Sequence, residues 1–301
     1  MTNIDPSPKK ILVTGAAGNL GSKAVSVLAE ADWCNHVIAL HSPDGLVPEP
    51  SGKVVAHNCD LTDPHGAWRT HLNGMDAVVH FAAQHPVPES DWRDAAASSD
   101  MTFNLGLAAA AAGVKRFVYC SSNHAIGGYK DEPLASSVRN GGMHEGLPAA
   151  PGTKWNNGSI DIDSTPYGAS KLMAERFFAM LTAQPDSLMT AVSLRVGWAL
   201  EGDNNPADIS VSGSPTGQGA TSAMNDEEAK TLRWFRNMWL SNGDFSRLLT
   251  GALCADASNW PDPAVVVNGV SKNTGTDWSL ENARILLGYE SQDDLYSLIT
   301  G

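Results

Sequence analysis

The chain has 301 residues, of which 42% are hydrophobic and 18% charged, with a formal net charge of −13. This fits a soluble globular protein with a sizeable core, built as one large α/β domain or as a domain with a lobe. The acid excess argues against nucleic acid and anionic membranes as partners, because both select basic surfaces. The four cysteines, Cys34, Cys59, Cys120 and Cys254, form neither a C-x-x-C pair nor a metal-ligand spacing, so a reduced, cytoplasmic protein without a metal is expected. The first ten residues are mostly polar and carry Pro6 and Pro8, unlike a signal peptide or a membrane anchor.

Lys10 to Thr14 is a short apolar run that ends in glycines and leads into a helical stretch from Asn19 to Ala31. His36 to Leu40, Lys53 to Ala56, Asp76 to Phe81 and Lys115 to Cys120 read as further strands, with helices at Pro64 to Leu72 and Asp94 to Ala112 between them. Such alternation predicts a parallel sheet covered on both faces. Residues 127–166 dissolve into Gly, Pro, Ser and Asn. A stretch that long is rare without a function, so it reads as a lid or a wall of a substrate site, with a disordered insert as the alternative. Pro166 then opens a helix capped by Ser164 or Thr165, and Leu188 to Val196 is a sixth strand. Glu227 to Leu240, Phe245 to Ala255 and Leu280 to Leu287 read as helices and Ala264 to Val270 as a last buried strand. Residues 1–200 are expected to form the main domain. Residues 201–301 are expected to be mainly a small lobe that shapes the substrate pocket, with strand 264–270 free to return to the core sheet.

Two local patterns carry chemistry. Gly15-x-x-Gly18-x-x-Gly21 follows the first strand and opens a helix, which aims backbone amides and a helix N-terminus at a pyrophosphate. Asp60-Leu61 follows the third strand and suits an adenine amine, with a turn or N-cap aspartate as the alternative. His80-Phe81-Ala82-Ala83 ends the fourth strand with small residues that admit a ribose. Downstream, Tyr167 and Lys171 lie four apart and share a helix face, so an ammonium sits beside a phenol and favours its phenolate form. Ser122 adds a hydroxyl donor. A hydroxyl, a phenol and an ammonium converging on one oxygen are what carbinol–carbonyl interconversion requires.

Taken together, Thr14-Gly15-Ala16-Ala17-Gly18-Asn19-Leu20-Gly21, Asp60-Leu61, His80-Phe81-Ala82-Ala83, Asn104, Cys120-Ser121-Ser122 and Tyr167-Gly168-Ala169-Ser170-Lys171 resemble an extended short-chain dehydrogenase/reductase of the NAD-dependent epimerase/dehydratase group. The resemblance implies a doubly wound Rossmann α/β fold and NAD or NADP as cofactor. It implies a catalytic set in which Ser122 polarises the reacting oxygen, Tyr167 is the acid/base, Lys171 tunes it and Asn104 holds a relay water. Cofactor contacts are expected from Gly15, Ala17, Gly18, Asn19, Leu20, Gly21, His41, Ser42, Asp60, Leu61, Phe81, Ala82, Ala83 and Cys120, together with Tyr167 and Lys171. Where NAD enzymes carry an acid after the second strand, this chain has His41-Ser42, which leaves NADP as plausible as NAD. His80 and His85 are expected at the cofactor edge or in solvent.

Dehydratases of the group place an acidic pair after the serine, and here those positions are Asn123 and His124, so elimination is not expected. Ser-Ser-Asn-His is similar to uronate dehydrogenases, which implies oxidation of the C1 hydroxyl of an aldose or hexuronic acid to a lactone. A sugar epimerase or carbonyl reductase, or a cofactor-sensing regulator, are the alternatives. Gln84, His85, Ser122, Asn123, His124 and Trp198 are the expected substrate contacts. Trp198 stands where the relatives carry a small hydroxyl residue, and Arg233 or Arg236 is the candidate for their carboxylate-binding arginine. Arg195 reads as structural. A homodimer built through the helix that starts near Pro166 follows from the resemblance alone.

Overall fold

The apolar runs become one parallel sheet. The computed structural model describes residues 7–42, 52–84, 87–138, 141–157, 159–211 and 224–299. In chain order the elements are β1 (Lys10–Thr14), α1 (Asn19–Glu30), β2 (His36–His41), β3 (Val54–Asn58), β4 (Ala77–His80), α2 (Trp92–Ala111), β5 (Arg116–Ser122), β6 (Lys154–Asn156), β7 (Asp161–Asp163), α3 (Thr165–Thr182), β8 (Thr190–Val196), α4 (Asp226–Asn237), α5 (Asn242–Cys254), β9 (Ala264–Gly269), α6 (Glu281–Leu287) and α7 (Leu295–Ile299).

The strands of the main sheet run in the order β3-β2-β1-β4-β5-β8-β9, and every neighbouring pair is parallel. Thr14 at the end of β1 faces Leu40 on β2 and His80 on β4, so the strand order reverses on either side of it. Open α/β sheets bind ligands in the crevice at such a switch point. Alternation along each strand feeds two layers. Ile11 and Val13 pack with α1, α5 and α6, whereas Leu12 packs with residues of α2 and α3. Both faces are therefore dry, which is why these strands are continuous hydrophobic runs.

β9 lies beside β8 and α5 packs against α1, so both join the sheet sandwich. A third apolar cluster gathers Ile126, Tyr129, Met143, Trp155, Phe235, Trp239 and Trp278. It joins α4 to the region between β5 and α3, where periodicity is weak. That region contains a 3₁₀ segment, Asn123–Lys130, and the antiparallel β6–β7 hairpin. It has order because single large residues, Tyr129, Met143, Trp155 and Ile162, are each buried, not because an amphipathic face repeats.

Two local expectations change. The helix expected from Pro64 is only a 3₁₀ turn, Ala67–Leu72, held by the buried Trp68, whose Nε1 donates to the Asp63 carbonyl at 2.8 Å. Ser164 occupies the N-cap position of α3, but its side chain does not cap the helix. Asp163 Oδ1 accepts from Thr165 N at 2.9 Å instead, which releases the Ser164 hydroxyl for another partner.

Candidate active site

The glycine turn is shaped by close approach. Gly15 has φ +66°, and a Cβ there would stand 2.6 Å from Ala82 N. Any side chain would therefore strain the turn and collide with the end of β4. Gly18 N donates back to Gly15 O at 2.9 Å, and α1 begins at Asn19 with no acidic residue in its first turn. An N-terminus with bare amides and no competing carboxylate suits an anion.

A cavity of about 320 Å³ opens from this turn across the switch point. Gly15, Ala17, Gly18, His41, Ser42, Asp60, Leu61, Phe81, Ala82, Ala83 and Gln84 line it, which gathers most of the expected cofactor set. Gln84, expected on the substrate side, lies in this cavity. Leu20 and Gly21 sit in the first turn of α1, with the Leu20 side chain turned into the core, so only its backbone amide is left to face the turn. Asn19 reaches across to the Ala199 carbonyl at 2.8 Å, while its Oδ1 is buried without a partner. Asp60 is both cavity wall and turn residue. Its Oδ1 accepts from Thr62 N at 2.8 Å and Thr62 Oγ1 at 2.6 Å, and these bonds hold the carboxyl below its usual range. His85 lies outside the described residues.

His80 requires a correction, since it is neither at the cofactor edge nor in solvent. It is buried between β1 and α2, with Nδ1 2.6 Å from Thr14 Oγ1 and Nε2 3.0 Å from Thr102 Oγ1. The Thr102 hydroxyl already donates to Ser98 O, so it accepts from His80 Nε2–H, and Nδ1 accepts from Thr14. The ring is thus a neutral imidazole of defined tautomer, and burial pushes its pKa down to about 3.

At the carboxyl end of β5, Lys171 Nζ donates to Cys120 O at 2.8 Å. It lies 5.2 Å from the Tyr119 ring and 5.3 Å from the Tyr167 ring. Burial opposes the Lys171 charge, but the phenols of Tyr119 and Tyr167, with Cys120, outweigh it and hold the ammonium above its ordinary range. Tyr119, fully buried, is pushed up to about 12 and stays a phenol. Ser122 is two residues beyond Cys120 and 5% exposed, with its Oγ accepting from His124 N at 3.2 Å. Asn104 is half-buried on α2, the helix packed against α3, and no hydrogen bond among the described residues joins it to Ser122, Tyr167 or Lys171.

His124 links the expected residues to several that the sequence reading overlooked. Its ring stands edge-on to Tyr167 at 5.7 Å and lies 6.3 Å from Trp198 and 6.1 Å from Trp155. Phe235 closes the group, 4.6 Å from Trp198 and 5.4 Å from Trp155. His124 Nδ1 is 2.8 Å from Ser164 Oγ, the hydroxyl released from capping. Burial lowers the His124 pKa to about 4, so the ring is neutral at physiological pH. Gly168 lets α3 approach: a Cβ there would stand 2.3 Å from His124 O. Asn123 is 1% exposed, yet both its amide atoms, and His124 Nε2, have no partner. Buried polar atoms in that state call for an explanation.

Arg195, read as structural, is bound to Glu175, and Arg233, a candidate for the carboxylate, lines a separate cavity. Neither meets the His124 group. Trp155 and Phe235 carried no usable signal in the sequence, since one sits in an aperiodic stretch and the other is one of several apolar positions on the 227–240 helix.

A doubly wound sheet with a glycine turn at its switch point, and a Tyr/Lys pair beside it, defines a dinucleotide-binding α/β protein of the dehydrogenase type. The chain belongs to the NAD dependent epimerase/dehydratase family, whose model matches residues 11–206. It is 28% identical over 298 residues to L-arabinose 1-dehydrogenase (NAD(P)(+)) of Haloferax volcanii, covering 96% of this chain and 99% of that one. It is also 28% identical to uronate dehydrogenase of Pseudomonas syringae pv. tomato, over 89% of this chain and 77% of the relative. Glucuronic acid dehydrogenase from Chromohalobacter salexigens shares the fold, with TM-score 0.68 and 22% identity over 97% of this chain and 89% of that chain.

Proposed function

We propose that the protein is an NAD(P)-dependent sugar dehydrogenase that oxidises the C1 hydroxyl of an aldose or hexuronic acid to the lactone. The observation that carries the reading is the Lys171 ammonium seated between the Tyr119 and Tyr167 rings and bonded to the carbonyl of Cys120, two residues before Ser122 on β5. Bound NAD(P)⁺ supplies the hydride acceptor. The cradle fits it, because the turn excludes a Cβ at Gly15 and the adjoining cavity is lined by His41, Ser42 and Asp60.

Tyr167 Oη, as the phenolate that the Lys171 ammonium stabilises, takes the proton of the C1 hydroxyl and becomes a neutral phenol. Ser122 Oγ–H donates to the reacting oxygen, orienting the hydroxyl and then polarising the carbonyl. Asn104 holds the water that returns the proton to solvent. Asn123 and His124 take the neighbouring hydroxyls, which gives partners to their three orphaned atoms. Those atoms are buried and the His124 ring lies 6.3 Å from Trp198, so the Trp198 indole turns aside as the sugar enters and then stacks on its ring. The neutral His124 imidazole suits this task, since it can donate to or accept from a hydroxyl without adding charge.

The test is reduction of NAD and NADP by purified protein across a panel of aldoses and uronates. Reduced cofactor is expected with at least one sugar and lactone as the product. No reduction with either cofactor across the panel sinks the reading. Reversible scrambling of a hydroxyl's configuration without net reduction would instead mark an epimerase.

The same reading includes a homodimer. Met173 and Met180 are seven apart on α3 and 50% and 63% exposed, and Leu107 on the adjoining α2 is 53% exposed, which forms an apolar face that a second copy could cover. Light scattering that returns the mass of a monomer at micromolar concentration would exclude it.

A further inference from the structure

We infer a second ligand site, for a small aromatic carboxylate, in the cavity between α4 and the segment leading to Met143. The cavity holds about 230 Å³ and is lined by none of Ser122, His124, Tyr167 or Lys171. Its inner wall is aromatic. Trp234 and Trp278 stand 5.6 Å apart with their planes at 59°, which makes a corner for a flat ring, and Met143, fully buried, lies behind it. The remaining wall includes Ala135 and Val138, side chains that favour an aromatic face over a hydroxyl-studded sugar.

The mouth is cationic in a specific way. Lys130 and Lys230 both line the cavity, but they share Asp131 and Glu227 in a network of two cations and two anions that compensates itself. Asp277, the acidic residue of the lining, already has a partner. Arg233 is exposed on α4 with no anionic or carbonyl partner among the described residues. Among the described residues it is the unmatched charge of this cavity, and its planar fork suits a carboxylate. Trp234 Nε1 is a buried donor without an acceptor. That donor belongs to a residue of the cavity wall next to Arg233 in the chain.

The proposal does not rest on the sugar-oxidation reading, and its test reads binding instead of turnover. Full-chain protein is titrated with 4-fluorobenzoate and followed by fluorine NMR, with neutral 4-fluorobenzamide as the control. Saturable binding of the carboxylate is expected, with the amide about tenfold weaker or worse, as loss of a charge-assisted hydrogen bond requires. Arg233→Ala should weaken the carboxylate to the level of the amide, and Arg233→Glu should abolish binding. Both changes are on an exposed side chain, so folding is not at stake, and Tyr167→Phe should leave binding unchanged. Equal binding of acid and amide, no binding of either, indifference to Arg233→Ala, or displacement of the probe by glucuronate would each overturn it.

Discussion

Glu175 and Arg195 are joined by a two-point ion pair inside the protein: Arg195 Nε lies 2.9 Å from Glu175 Oε1 and Nη2 2.8 Å from Oε2, with both side chains almost fully buried. Ser121 Oγ donates to the same Oε1 at 2.6 Å, so the carboxylate ties α3 to both β5 and β8. Breaking such a pair from one side strands a buried charge, which costs about 3–5 kcal/mol, whereas replacing both partners with apolar residues costs far less. Glu175→Leu and Arg195→Leu should each lower the denaturation midpoint sharply, and the double variant should recover most of the loss. Equal, additive losses in chemical denaturation would show that the pair is not coupled.

Removal of Lys171 tests the chemistry separately from the fold. In Lys171→Met the ammonium between two rings is gone, and kcat is expected to fall by about 10²–10⁴-fold with a smaller change in cofactor affinity. Because the Lys171 ammonium is held above its ordinary range, wild-type activity should show no loss from lysine deprotonation below pH ~10. A wild-type rate that collapses in mildly alkaline solution while the protein remains folded would contradict that assignment.

Acid sensitivity follows from the two buried imidazoles. His80 and His124 are held near 3 and 4 in the folded protein, below the ordinary histidine value, so the unfolded chain binds more protons between those values and pH ~6.5. Stability is complete above pH ~6.5 and falls as pH drops through that window, by up to about 1.4 kcal/mol per pH unit for each histidine. Urea denaturation between pH 7 and pH 5 should show the decline. His124→Asn should remove about one proton from its slope, and an unchanged slope would count against burial of a neutral ring there.

Gly15→Ala should impair cofactor binding. A residue with φ +66° and no room for a Cβ can accept a methyl group only if the turn and the end of β4 shift apart. Backbone strain of this kind costs about 1–3 kcal/mol. Calorimetry should show NAD(P) affinity reduced by at least about tenfold, alongside a lower melting temperature. Wild-type affinity in Gly15→Ala would mean that the turn does not hold the nucleotide.

The residues that were legible in advance are those whose signal is local. Gly15, Gly18 and Gly21 follow a strand and open a helix within a dozen residues, and Tyr167 and Lys171 meet because a helix repeats every 3.6 residues. The parallel sheet could be read for a similar reason, since burial on both faces leaves runs such as Ile11–Val13 with no polar alternation. The expectation for His80 failed because its partners, Thr14 and Thr102, lie on two other elements. Ser164 looked like a helix cap, and as a sequence feature it was one. Its hydroxyl is engaged by His124, which is 40 residues earlier in the chain.

By itself the sequence determined the alternation of strand and helix, the phosphate-ready turn and the spacing of the phenol and its amine, because each depends on backbone geometry over a few residues. Only the tertiary structure decided that β9 pairs with β8, that Arg195 belongs to Glu175, and that Trp155 packs between His124 and Phe235. These contacts depend on the order in which strands assemble and on which large side chains fill the space between layers. Close packing selects such partners by shape and volume across the whole chain, and no short stretch of residues encodes them.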